Sequence, residues 1–205
     1  GYVVEDGVLS TGLIVSYPKF TTTYGTAVSF KKGIWNGAAK RYDSEKLKVI
    51  NTPVLKSHGT YQVTGALKSY MGTPSIALTN RSPHNNVGRG AMGTQMVKTR
   101  YPVLNILDMV WVTPEGGPNA PYAMAVQKNI IAASVDPAAL DYWASKNVLM
   151  PTAVAAGNRR ASIMDPDSGE PGTFGYWLRL TVEELRKGGF PVTTDENRIT
   201  VTRVH

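Results

Sequence analysis

Residues 129–146, "NIIAASVDPAALDYWASK", constrain the fold more than any other stretch. An apolar run without clean alternation reads as a buried strand over 129–136. It passes directly into a helix over about 137–147. Asp136 is a natural N-cap, and Pro137 falls at the first helical position, where proline is favoured. A strand feeding a capped helix is half of an α/β unit.

The rest of the chain repeats that alternation. "TGLIVSY" (11–17) reads as a strand, "TTTYGTAVSF" (21–30) as a loop followed by a strand, and "KLKVINTP" (46–53) as a strand stopped by Pro53. Thr60 could cap a helix over 61–71, with Val63, Leu67 and Tyr70 on one face and Gly72 ending it. Residues 73–100 are rich in Gly, Asn and Pro and read as a long loop. "GRGAMG" (88–93) has the glycines of a phosphate loop but no preceding strand, and reads as flexible. "VLNILDMVWV" (103–112) is the most apolar strand, interrupted by Asp108. Loops follow at 113–123 and 151–172. A helix at 173–188 turns Phe174, Leu178, Thr181 and Leu185 inward, and an alternating strand closes the chain at 197–204. The pattern implies one α/β domain, with a mixed, largely parallel sheet flanked by helices and with long Gly/Pro-rich loops.

The 205 residues suffice for a real core without staples. The absence of cysteine excludes disulfides, thiolate metal sites and iron–sulfur clusters ligated by cysteines of this chain. The net charge of +7 comes from scattered basic residues with no interleaved aromatics, which argues against nucleic acid and for a small anion or an acidic partner. No apolar run is long enough to span a membrane. The chain is therefore expected to be soluble, cytoplasmic or exported after removal of a signal. Gly1 is not an initiator methionine, so the chain is expected to be processed, trimmed or part of a longer one.

The candidates for chemistry gather around "VINTPVLKSHGTYQVTGALKSYMG" (49–72) and "SPHNN" (82–86). Lys56 and Lys68 bracket His58, and neighbouring cations lower a histidine pKa, leaving it neutral and ready to accept a proton. Lys68 can clamp an anion or, if desolvated, act as an amine nucleophile. His84 is a second imidazole, and His205 is terminal and expected to fray. Asp108 can orient these groups. Asp136 has a structural role as a cap, and Asp141 is either solvated or turned inward. The resulting set is His58, Lys68 and Asp108 as catalytic residues, Lys56, Thr64, Asn85 and Asp136 as substrate-binding residues, and His84 as a metal ligand or second acid/base.

These segments, followed by "LNILDMVWV" and "IIAASVDPAALDYWA", resemble in order the motifs of the family catalogued as domain of unknown function 362, over about residues 46–145. Ser69 stands where that family usually has Asn. Many members carry ferredoxin-type cysteine clusters and a longer α/β lead-in. The resemblance therefore implies a missing N-terminal segment, another chain completing the domain, or a ferredoxin-like partner. More remotely, His58, Lys68 and His84 are similar in order and spacing to residues of the nickel-pincer enzymes typified by lactate racemase. That likeness implies cofactor attachment at Lys68, nickel or another metal on His84, and proton transfer by His58.

Two readings follow. In one, the chain is an enzyme, isomerase- or racemase-like or redox-associated, doing proton-transfer or metal-assisted chemistry on a small anion in a basic pocket. In the other, it is a non-catalytic binding or assembly module for iron–sulfur redox partners. The first requires His58, Lys68 and His84 to converge around a concave site.

Overall fold

The computed structural model describes residues 1–8 and 12–204. Five N-terminal strands form an antiparallel meander in chain order: β1 (Tyr2–Val8), β2 (Leu13–Thr21), β3 (Ala27–Ser29), β4 (Gly33–Asn36) and β5 (Arg41–Asp43). Its tight connections need glycine. Gly33 has φ +102°, and a Cβ there would meet the Asp43 carbonyl oxygen at 2.0 Å. The expected strand at 11–17 corresponds to β2; Thr11 itself, like the expected frayed His205, lies outside the described residues.

The second sheet carries the candidate residues. Its strands are β6 (Ile50–Asn51), β7 (Val54–His58), β8 (Gln62–Thr64), β9 (Leu104–Thr113) and β10 (Val126–Ser134). The spatial order is β10-β9-β7-β8, with β6 also beside β9. β6 and β7 run parallel to β9, while β7–β8 and β9–β10 are antiparallel, so the α/β class holds with a mixed sheet. The expected strand over 46–53 is a two-residue β6. Thr52–Pro53 interrupts it, because proline has no N–H to give a ladder.

Among the described residues the α-helices are α1 (Ala66–Ser69), α2 (Ser82–Asn85), α3 (Ala91–Lys98), α4 (Pro137–Ala144), α5 (Met150–Ala155) and α6 (Phe174–Lys187). α4 continues through a π-helical turn, Ser145–Leu149, into α5. Leu55, Val63, Leu107 and Met109 from the sheet pack in one core with Met92 and Met96 of α3, Leu140 of α4 and Leu178 and Leu185 of α6. α3 also reaches the first sheet, where Gln95 Nε2 donates to the Ser16 carbonyl at 2.8 Å. Just beyond α3, the Arg100 guanidinium donates to the carbonyls of Phe30, Lys31, Ser44 and Leu47, fastening the meander to the second layer.

Several expectations are corrected here. The 73–100 stretch holds α2 and α3 rather than a structureless loop. The glycines of "GRGAMG" serve close packing. A Cβ on Gly90 would meet the Leu180 carbonyl oxygen at 2.6 Å, and one on Gly93 the Thr181 oxygen at 2.4 Å. The strand expected to be buried over 129–136 is the sheet edge β10, with Ile131 67% exposed. The loop expected over 151–172 begins inside α5 and contains a 3₁₀ turn, Ala161–Met164. Among the described residues the segment expected as a strand over 197–204 has no ladder partner. It runs extended beside the β10 edge across a groove of about 750 Å³, with a 3₁₀ turn at Glu196–Arg198 before it.

Candidate functional site: a cationic cluster at the β7–β8 hairpin

Residues 58–72 form a hairpin and one short helical turn, not the helix expected over 61–71. Two local interactions override helical periodicity. The His58 Nδ1 atom accepts hydrogen bonds from the backbone N–H groups of Thr60 (3.1 Å) and Tyr61 (3.2 Å), closing the turn. Gln62 then takes φ +62°, with Val63 N–H donating to the Tyr61 carbonyl at 2.7 Å. That γ-turn is a strained conformation which the surroundings must hold in place. Trp177 of α6 holds it: its indole N–H donates to the Tyr61 carbonyl and to Gln62 Oε1, both at 2.9 Å.

Alternation along β7 turns Leu55 and Ser57 into the core and Lys56 and His58 to the other side. Lys56 stands opposite Thr64 in the hairpin, and His58 opposite Gln62. Beyond β8, α1 carries Lys68. This helix has no side-chain cap of its own sequence. Instead the Asp141 carboxylate, wholly buried in α4, accepts from the backbone N–H of Ala66 (2.6 Å) and Leu67 (2.9 Å). A Cβ on Gly65 would lie 2.2 Å from Asp141 Oδ1, so only glycine admits this contact.

Tyr61 is the hub. The His58 ring packs against it with centroids 4.8 Å apart, the Lys68 ammonium sits 5.0 Å from its ring centre, and its hydroxyl donates to the His84 carbonyl at 3.1 Å. His58, Lys68 and His84, distant in sequence, thus surround one aromatic ring, with Lys56 close by.

The charges are of one sign. Burial pushes His58 down to about 4, and Lys68, Lys56 and His84 push the same way. Burial lowers His84 as well, assisted by Lys68 and Arg81. Lys56 is lowered by burial, and Lys68 by burial and then by Lys56. Neither lysine joins an ion pair among the described residues. Two polar atoms are buried without a partner here, Thr64 Oγ1 and His84 Nδ1. Thr64 is only 7% exposed.

The hydrogen bonds at His58 revise its expected role. With Nδ1 accepting two N–H groups, the ring proton belongs on Nε2, so the outward nitrogen is a donor and not a base. The imidazole of His58 is expected to titrate near 4, with the Nε2–H tautomer above that pH. Ring ¹⁵N shifts across a pH series report both, and a midpoint at 6.5 with the proton on Nδ1 would contradict this arrangement.

The family described as Domain of unknown function (DUF362) matches residues 11–146. The chain belongs to the DUF362 family. No curated protein and no solved structure matches it. The DUF362 match spans the hairpin, His84 and Asp141, while Trp177 lies beyond it.

Other candidates fall elsewhere. Asp108 lies on the exposed face of β9, opposite Val54 and four strand positions short of His58. Its carboxylate accepts from Val110 N–H at 2.8 Å, so it does not orient the imidazoles. Asp136 caps α4 through Ala138 and Ala139 N–H and also accepts from Thr193 N–H, so backbone groups occupy its oxygens. Asn85 is an exposed residue of α2 adjoining His84. Among the described residues no group of three His, Cys, Asp or Glu side chains could hold a metal ion. A metal on His84 would therefore take its other ligands from elsewhere. The two prominent cavities, the β10 groove and a space of about 310 Å³ beside Phe30 and Ser69, do not include the cluster. No helix among the described residues is long and apolar enough to cross a membrane.

Sequence reasoning missed Tyr61 and Trp177. Tyr61 sits between the two expected site residues His58 and Lys68, which was the available signal. Trp177 gave none, since its partner is 115 residues away.

Proposed function

We propose that this DUF362 protein binds a small anionic molecule at Lys56, Lys68, His58 and Thr64 and carries out proton-transfer chemistry on it. One observation carries the reading: a hydroxyl buried without a partner stands on the residue opposite Lys56, and Lys56 and Lys68, both without an ion pair among the described residues, lie close enough to His58 to lower its proton affinity. Every one of these groups can donate, and a set of donors calls for oxygens that accept. His58 supplies a neutral N–H to developing negative charge, as preorganised donors do in water-poor sites. His84, kept neutral with an unpartnered ring nitrogen, is the group able to take or return a proton.

Titration calorimetry with phosphate and with small carboxylates tests the binding. Replacing Lys56 or Lys68 by Met is expected to weaken affinity by about tenfold to a hundredfold each, the worth of a charge-assisted hydrogen bond. Replacing the exposed Lys128 by Met is expected to leave it unchanged. Equal, weak binding in all four proteins would remove the site.

A second reading, a module that assembles with redox partners, has one observation behind it. Val54 and Ile131 flank Asp108 on the outer face of the second sheet and leave apolar surface exposed. Anion binding that survives both lysine replacements would favour it.

A further inference from the structure

One group of the anion site is placed to do more than hold an anion. Lys56, opposite Thr64, supplies positive charge beside the unpartnered hydroxyl, and His58 adds a ring N–H. Lys68 approaches from a different element, α1, and its terminal nitrogen is held over the face of Tyr61 at 5.0 Å from the ring centre. An amine next to a second cation, half-buried against an aromatic ring and without a carboxylate partner, is placed as a nucleophile and not as a salt-bridge residue.

We propose that Lys68 forms an imine with the carbonyl carbon of a small 2-oxo acid whose carboxylate is held by Lys56 and Thr64. The proposal rests on the anion-site reading above and names its substrate class. The lowered proton affinity of Lys68, caused by burial and by Lys56, keeps more of the amine free than on an ordinary lysine. The free amine uses its lone pair to form the N–C bond, and the C=O π pair moves to oxygen, which the His58 Nε2–H stabilises as it gains charge. A proton passes from nitrogen to that oxygen, with the neutral His84 imidazole able to relay it. The nitrogen pair then expels the hydroxyl, which leaves as water after taking one more proton from solvent. Amine, ketone and that proton give the protonated imine and water, and nothing is oxidised or reduced. The protonated imine is an electron sink, so the adjacent C–H becomes acidic, and the proton-transfer chemistry of the site follows from it.

The full chain is incubated with pyruvate and cyanoborohydride, which reduces an imine to a stable secondary amine, and peptides are mapped by mass. The reduced adduct is expected on Lys68 at more than about tenfold excess over any other lysine, as desolvated reactive amines show. His58→Ala and Lys56→Met, checked for wild-type melting, are expected to slow trapping about tenfold each. Calorimetry with lactate, which has the carboxylate but no carbonyl, reads the anion site separately. Lactate binding with no adduct from pyruvate, or with adducts spread evenly over the lysines, would overturn the imine and leave the anion site standing. Absence of both binding and adduct overturns both.

Discussion

Asp141→Ala is expected to destabilise the protein by about 3 kcal/mol or more, because it strips partners from two buried N–H groups that cost about 1–3 kcal/mol each when unsatisfied. At this chain length that is a fall in melting temperature of roughly 6–12 °C. The cost is this large because α1 has no cap of its own, and both N–H groups lie under α4 beyond the reach of water. Gly65→Ala is expected to act in the same way, since its Cβ would need the space of Asp141 Oδ1. Both variants should also loosen the turn that carries Lys68 and weaken anion binding in any fraction that stays folded. The pH dependence has a definite sign. Burial raises the Asp141 carboxyl to about 7 against the opposing pull of its two N–H bonds. A raised folded value means that its contribution is complete below the ordinary carboxyl range and is lost as pH rises through 7. The gap in stability between wild type and Asp141→Ala should therefore narrow from pH 5 to pH 8. A gap that widens over that range would show that the N–H bonds outweigh burial. Melting curves at three pH values decide it.

The same carboxylate shows what a sequence can and cannot disclose. The α4 cap at Asp136 and Pro137 was legible because a cap acts on its own helix, within three residues. Asp141 was not, because it caps a helix 75 positions away, and no local pattern records such a partner. β9 and the buried stripe of α6 were legible for the same reason as the α4 cap: periodicity is local and burial follows it. The spacing of Val63, Leu67 and Tyr70 fits a helical face over 61–71, yet residues 62–64 are the second strand of a hairpin and only Ala66–Ser69 is α-helical. The decisive events were a side chain accepting from its own turn and an indole arriving from α6. The clustering of titratable residues with glycines at expected strand ends points to His58, Lys68 and His84 meeting at a concave site; they gather around Tyr61, outside the two prominent cavities. The exposed placement of Asp108 was not legible, since an interrupted apolar run does not say which sheet face lacks a cover. The antiparallel meander is legible only in part: the strand expected within 21–30 is β3, but β4 and β5, of four and three residues, carry too little pattern to detect.

Anion affinity at the cluster is expected to fall by more than tenfold on the alkaline side before pH 10.5, where an ordinary lysine would only be half-titrated. Both lysines contribute to the early fall. Burial lowers each, and Lys56 lowers Lys68 further. Lys56→Met should therefore have two effects that a plain loss of charge would not combine. It weakens binding at pH 7, and it moves the remaining alkaline limb to higher pH, because Lys68 is relieved of its neighbour. The acid side separates the imidazole from the amines. His58 stays neutral down to about 4 and His84 is also held below its ordinary value, so no step should occur near 6.5, and affinity should rise only in more acid solution, as imidazolium joins the two ammonium groups. Phosphate changes its own charge near neutrality, so a sulfonate of constant charge is the proper probe for the titration. A step near 6.5 would mean that His58 is solvated and that its Nδ1 bonds to Thr60 and Tyr61 do not hold. An alkaline limb centred at 10.5 and unmoved by Lys56→Met would mean that the two lysines do not share a site, and the donor cluster would lose the coupling on which its chemistry depends.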